Sequence, residues 1–534
     1  MNIKKIYQLI ISRLDGRRIC DRVYQEGILA LVRKGIGGFI IFGGKRKELR
    51  PFIDRLQTIA EIPLFIASDI ERGVGQQIDG YTKFPCQMAV RAAINRDDPA
   101  DITILRNALS AVALEAIDAG INMPLIPVLD VNSNPDNPII CTRAFSDNPD
   151  DVSFFGSEYI EVLEGMGLIS CAKHFPGHGD TSTDSHISLP LITKSYNVLV
   201  KFDIRPFAGA IKTGVSSIMI GHLLIPSIDE SNPSSLSKRV ITGILRTELG
   251  FNGLIMTDAL NMSALSSIEN VSARCLNAGV DIILHPSDAE LTVRDLDDAV
   301  RTELISEETI DVAVGRILKA KSRISRIKLV EVDTHSNTLI SKRMAEMSIT
   351  VINKKEGILP VADDDKIQVL IVGENRLCKQ SLWGRQFRNV HSLTEMHENS
   401  HPHFFDFPQD RMGNMKIPLN PPFSKGENRF PPLEKGGFES GFSDEAVIIA
   451  IFSEIAAWRG SAGIDDNAME QVIGLIRKAR TSIVISFGSP YILRHFSDAD
   501  VRIAAYEGNS QAQEAVIKCL KGETYIRGRL PVKI

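Results

Sequence analysis

The chain has 534 residues, a formal net charge of −5, 43% apolar side chains and 24% charged ones. Such a length is too great for one compact core, so two domains are expected, with the composition of an ordinary soluble globular protein. The basic residues are dispersed, which argues against a nucleic-acid partner, and no apolar run reaches the ~18 residues of a membrane span.

Residues 1–13 hold two lysines and then a short apolar patch, interrupted by Gln8 and closed by Arg13, with no small-residue cleavage site. This reads as the start of an amphipathic helix, not a signal peptide. The 7 cysteines lack paired spacing, which fits a reducing compartment and a cytoplasmic location. To about residue 330, short apolar runs alternate with helical stretches; the runs lie at 38–42, 63–68, 123–129, 167–172, 217–221, 253–257 and 280–284. Apolar runs separated by helices predict a parallel sheet buried on both faces. Their number over such a length suits a TIM-type (β/α)8-like barrel better than a small open sheet. Asp69, Asp130, Lys173 with His174, His222, Asp258 and His285 each close one run. In a barrel that edge is the active face, and a doubly wound sheet would gather them at its carboxyl edge too.

A helix is expected over about 307–326, capped by Ser306, with Glu307 and Glu308 near its N-terminal dipole and Ile310, Val314, Ile317, Leu318 and Ala320 as its apolar stripe. The barrel is thus assigned to 1–330 and a linker to 331–344. A second set of apolar runs at 369–372, 446–452, 482–487 and 502–506 predicts a smaller α/β domain over 345–534. Within it, residues 398–443 contain PPFSKG at 421–426 echoed by PPLEKG at 431–436. Too little apolar surface is present there to offset the entropy of ordering it, so a mobile insertion is expected.

The run at 167–172 is read as a buried strand that gives way at Lys173 to a loop carrying Lys173, His174, His178, Asp180, Asp184 and His186 among Pro and Gly. Asp184 and His186 are two apart. An aspartate can hold an imidazole in one tautomer and raise its proton affinity, making a general acid and base near neutral pH; a plain surface pair fits the spacing equally. Asp258, directly after an apolar run, is either a working carboxylate or a helix N-cap. The spacing of His174, His178 and His186 matches no closed zinc pattern, so no metal is assigned. The glycines at 35–38 and 72–75 form neither a dinucleotide fingerprint nor a P-loop, and no cofactor is implied.

Residues 173–186 resemble the signature loop of glycoside hydrolase family 3 β-N-acetylglucosaminidases, in which KHFPGHG is followed by a DSH triplet. Further likeness lies in Asp69-Ile70-Glu71-Arg72-Gly73 with Phe84-Pro85, in NPIICTRAF at 137–145, LGFNG at 249–253, TDAL at 257–260, and KGET at 521–524 with GRLPV at 528–532. The resemblance spans the chain apart from the Pro-rich segment. It implies a TIM-type barrel followed by a smaller α/β sandwich domain, and a retaining hydrolase that releases terminal β-linked N-acetylglucosamine, from peptidoglycan fragments, through a covalent glycosyl-aspartate. Asp258 would be the nucleophile, His186 the acid/base and Asp184 its partner. Asp69, Arg143, Lys173 and His174 would hold the sugar hydroxyls. The implied partner is a small carbohydrate, with no nucleic acid and no membrane, and the chain is expected to be a monomer or homodimer. The sequence departs from the family where DQEGGRVQR becomes DIERGVGQQ, so that Gln77 stands for the usual Arg, and where TDA replaces a frequent SDD. Small cell-wall-recycling relatives often lack the second domain. A family 3 β-glucosidase, a phosphorylase and, from another class, a non-catalytic sugar-binding protein remain as alternatives.

Overall fold

Ile10 and Ile11, expected in an N-terminal helix, instead open the first strand of a ring. In the computed structural model, which describes residues 2–183, 188–265, 268–324, 331–361, 367–373, 382–394, 446–453 and 463–534, the helix is confined to Ile3–Gln8. The strands are β1 (Ile10–Asp15), β2 (Gly38–Phe42), β3 (Phe65–Ser68), β4 (Met123–Pro124), β5 (Cys171–Phe175), β6 (Ser217–Ile220), β7 (Leu254–Thr257) and β8 (Ile283–Leu284). β1 holds the place that the seven apolar runs left empty; its Ser12, Arg13 and Asp15 disguise it in sequence.

All pairings around the ring are parallel. β4, β3, β2, β1 and β8 form one sheet and β5, β6 and β7 another. The two join through single bridges, Val128 to Lys173 and Met256 to Ile282, so the eight strands follow chain order around a closed barrel. β4 is short because Pro124 and Pro127 cannot donate to a ladder. Lys173 and His174 lie within β5, not in the loop after it. Their side chains therefore start from the buried sheet.

The helix Glu307–Ile324 is capped as expected, Ser306 Oγ accepting from the Thr309 N–H at 3.1 Å. Its buried face is Ile310, Ala313, Val314, Ile317 and Lys321. Leu318 is instead 42% exposed, since the stripe runs 310, 314, 317, 321 and a lysine occupies its last place. The stretch expected as a linker contains the start of a helix, Thr334–Ser348, whose N-cap Asp333 accepts from the His335 and Ser336 N–H groups. It escapes notice in sequence because its buried face includes Asn337, Ser341 and Ser348.

The second sheet comprises β9 (Thr350–Lys354), β10 (Ile367–Gly373), β11 (Asn389–Thr394), β12 (Ala446–Phe452), β13 (Thr481–Phe487) and β14 (Val501–Ala504). Their order is β11-β10-β12-β13-β14-β9, parallel except for β9 at the edge. The period-2 alternation of β12 sends Val447, Ile449 and Ile451 into one apolar layer and Ile448, Ala450 and Phe452 into the other. The first layer also takes in Cys86, Met88, Ala89, Ala92 and Cys141 of the barrel. Residues 398–443 lie outside the described residues.

Candidate active site

The rim of the barrel gathers residues from three strands and one turn. Asp69 follows β3, Lys173 and His174 lie in the later half of β5, and Asp258 follows β7. Arg143 arrives on a short 3-10 turn, Cys141–Arg143. Asn137 builds the approach to that turn, its Oδ1 accepting from the N–H groups of Ile139 and Ile140 at 3.0 and 2.7 Å.

Lys173, Asp69 and Arg143 meet around Glu71, a residue to which the sequence motif lent no role. Lys173 Nζ lies 2.6 Å from Asp69 Oδ1 and 2.8 Å from Glu71 Oε1. Arg143 grips the same carboxylate with two nitrogens, Nε to Oε2 at 2.9 Å and Nη2 to Oε1 at 2.8 Å. Lys173 is 1% exposed and the Glu71 side chain 7%, so these charges are held by each other and not by water. Burial works against ionising Glu71, but Arg143 and then Lys173 outweigh it and hold its carboxyl well below the usual range. Burial likewise disfavours the Lys173 charge, and Asp69 and Glu71 together push its pKa up.

A second buried knot centres on Asp130. His174 Nδ1 is 2.7 Å from Asp130 Oδ2, and the His178 N–H donates to Asp130 Oδ1 at 2.7 Å. Burial opposes the charge on Asp130, but His174 overrides it and the carboxyl sits below its ordinary value. The carboxylate can only accept, so Nδ1 of His174 carries the proton and the ring is fixed in orientation. Burial lowers His178 to about 4 despite Asp130, leaving it neutral at ordinary pH. Its Nδ1 pairs with Thr181 Oγ1 at 2.8 Å.

Asp258 is half-buried, with Oδ1 accepting from the Ala259 N–H at 2.7 Å. A turn leads on from it to the short 3-10 helix Ser263–Leu265, so it caps no regular α-helix. Its N–H donates at 2.9 Å to the carbonyl of Ile220, the last residue of β6, which sets it on the same rim. Gln77, at the position where the family usually has Arg, ties two rim loops together. Its Nε2 donates to the Asp69 carbonyl and its Oε1 accepts from the Gly43 N–H, both at 3.3 Å. Asp184 and His186 lie outside the described residues. The residues leading to them are anchored, Asn137 Nδ2 donating to the His178 carbonyl at 2.9 Å and Ser133 Oγ to Asp180 Oδ1 at 3.2 Å. Glu71, Asp130 and His178 are the members of the site that sequence reasoning left unassigned. Asp130 shows in the sequence as a strand-end carboxylate and Glu71 as the acid two places beyond Asp69.

Residues 3–320 match the family model described as the glycosyl hydrolase family 3 N-terminal domain. The chain belongs to glycoside hydrolase family 3. A β-hexosaminidase A from Pseudoalteromonas piscicida is similar to it at 32% identity over 401 residues, 68% of this chain and 67% of that protein. A β-hexosaminidase from Nitrosomonas eutropha is 30% identical over 319 residues, 56% of this chain and 91% of that protein. Among solved structures, a family 3 β-N-acetylglucosaminidase from Paenibacillus sp. FPU-7 superposes with a TM-score of 0.79 at 26% identity, covering 100% of this chain and 99% of that one. That agreement extends the family 3 architecture through the second sheet.

Proposed function

We propose that this family 3 protein is a retaining β-N-acetylglucosaminidase that releases the terminal amino sugar from small glycosides. The observation that carries the reading is the Asp69–Lys173–Glu71–Arg143 cluster, with Lys173 and Glu71 buried at its centre, on the same rim as Asp258. A fixed set of charge-assisted donors and acceptors suits the hydroxyls of one pyranose. A half-exposed carboxylate beside it suits attack at an anomeric carbon.

Asp258 acts as the nucleophile, forming the glycosyl–aspartate bond as the glycosidic bond breaks. His186, oriented by Asp184, gives its proton to the departing oxygen and later takes one from the incoming water. Asp69, Lys173, Arg143 and His174 hold the sugar. The likeness to proteins named β-hexosaminidase supports N-acetylglucosamine as the sugar, and peptidoglycan fragments are the substrates we assign to it.

Cleavage of 4-nitrophenyl β-N-acetylglucosaminide and of the matching β-glucoside, each with and without phosphate, tests this reading. The expected result is preference for the amino sugar, free N-acetylglucosamine as product regardless of phosphate, and a fall in kcat of roughly 10⁴-fold in Asp258→Asn with the fold intact. A sugar 1-phosphate as product would make the enzyme a phosphorylase. An Asp258→Asn variant with normal turnover would remove the assigned nucleophile.

A further inference from the structure

The barrel rim is braced from the second domain at one point that carries charge. β14 ends at Ala504, and the chain turns at Tyr506, a non-glycine residue with φ of 63°. A left-handed conformation at a bulky residue persists only where its surroundings fix it. Here they do: Tyr506 is 1% exposed and its hydroxyl lies 2.8 Å from Thr350 Oγ1. The turn delivers Glu507, itself buried, out of the second domain and into the barrel.

Both oxygens of Glu507 are engaged. Oε2 accepts from Asn509 Nδ2 at 2.8 Å. Oε1 accepts from the Cys86 N–H at 3.1 Å and lies 3.5 Å from Arg72 Nε. Arg72 is the residue next to Glu71. Its backbone is pinned as well, the N–H donating to Gln76 Oε1 at 2.8 Å and the carbonyl accepting from the Phe84 N–H at 2.7 Å. At Gly73, φ is 75° and an added Cβ would meet Phe84 at 2.7 Å, so the turn has little room to move. One line of opposite charges therefore runs from Glu507 to Arg72, across one peptide to Glu71, and on to Arg143, Lys173 and Asp69.

We infer that Glu507 is a positioning residue for the sugar-holding cluster, acting through Arg72, so that the second domain helps to set the geometry of that cluster from behind. This inference rests on the reading of that cluster as the sugar subsite. A carboxylate that only glued two domains together would contribute to stability and leave substrate affinity alone. One that positions Glu71 would change affinity, and would do so only while Arg72 is present.

A double-mutant cycle with Glu507→Gln and Arg72→Met in the full chain separates the two roles. KM is measured on whichever aryl glycoside the wild-type enzyme prefers, so the choice of sugar is settled first and independently. Expected are a KM about tenfold higher in each single variant, no further rise in the double variant, and kcat changed less than about threefold. The melting temperature is recorded alongside. A wild-type KM in Glu507→Gln with a lowered melting temperature would reduce the residue to a domain contact. Single-variant effects that multiply to about a hundredfold in the double variant would show that Glu507 does not act through Arg72. Either result overturns the inference.

Discussion

His285 closes β8 with its ring 5.4 Å from that of Phe42 and its backbone N–H donating to the Ile11 carbonyl at 2.7 Å. Burial, and then the nearby Arg13 guanidinium, lower its pKa to about 4, with Asp258 opposing. The sign of the consequence is fixed by linkage. An unfolded histidine takes a proton near pH 6.5, whereas the folded one resists until about 4. Over that interval the unfolded state binds more protons, so stability falls as pH drops and levels off below about 4. His178, also lowered to about 4, adds a slope of the same sign. His285→Gln should therefore lose less stability than wild type between pH 7 and pH 5, measured by urea unfolding at both values. Equal losses in the two proteins would mean that His285 is charged in the fold. Asp258, Lys173 and His174 were legible at this scale because residues of such chemistry have no reason to end an apolar strand. Glu71 stands within a legible motif and is still easily overlooked, because its work is to hold Arg143 and Lys173. A sequence does not reveal which cations converge on one carboxylate.

At the scale of elements, Lys321 is the surprise of the helix Glu307–Ile324. It falls on the buried stripe and reaches the opposite end of the barrel from the candidate site. Its Nζ donates to Gln8 Oε1 at 2.8 Å and to the Gly37 carbonyl at 2.7 Å, and sits 4.9 Å from the centre of the Phe65 ring. Burial alone lowers its pKa to about 7. A free lysine titrates near 10.4, so between about 7 and 10.4 the unfolded chain binds the extra proton and stability rises with pH. Lys321→Met should flatten that rise, while leaving Gln8 Oε1 without its lysine donor, at a cost of about 1–3 kcal/mol, and the Gly37 carbonyl with the Phe65 N–H at 3.1 Å. Urea unfolding of both proteins at pH 7 and pH 9.5 checks this, and an undiminished rise in Lys321→Met would assign the slope elsewhere. The same helix shows where periodicity succeeds and fails. Ile310, Val314 and Ile317 were correctly placed by their spacing. Leu318, four residues after Val314, also fits the helical spacing, but it falls at the edge of the buried stripe and is exposed. β1 is hidden in the sequence for a related reason. Of its six residues only Ile10, Ile11 and Leu14 are apolar, and Ser12, Arg13 and Asp15 break the run that would mark a strand.

At the scale of the whole molecule, the barrel and the second sheet share more than a connection. The helix Thr334–Ser348 bridges them, with Asn337 Nδ2 donating to Glu115 Oε1 at 2.9 Å on the barrel side and Lys342 Nζ 3.0 Å from Glu514 Oε2 on the other. Asn132 Nδ2 donates to the Tyr491 hydroxyl at 2.8 Å, and Ser146 Oγ to the Pro531 carbonyl at 2.6 Å. Met88, Ala89, Ala92, Cys86 and Cys141 complete one apolar layer of the second domain. Burying a methionine such as Met88 contributes about 1.5–3 kcal/mol, and without the second domain that surface would face water. The barrel fragment 1–324 contains the whole stretch that matches the family 3 N-terminal model, yet it should self-associate when made alone, as exposed apolar patches do. It should also melt below the full chain and, lacking Glu507 behind Arg72, bind the sugar more weakly. Co-expression with 331–534 should restore a single soluble complex. Light scattering, thermal melting and KM on the aryl glycoside check the three expectations. A monomeric fragment with the full chain's melting temperature and KM would show that the barrel stands alone and that the shared layer is an incidental contact.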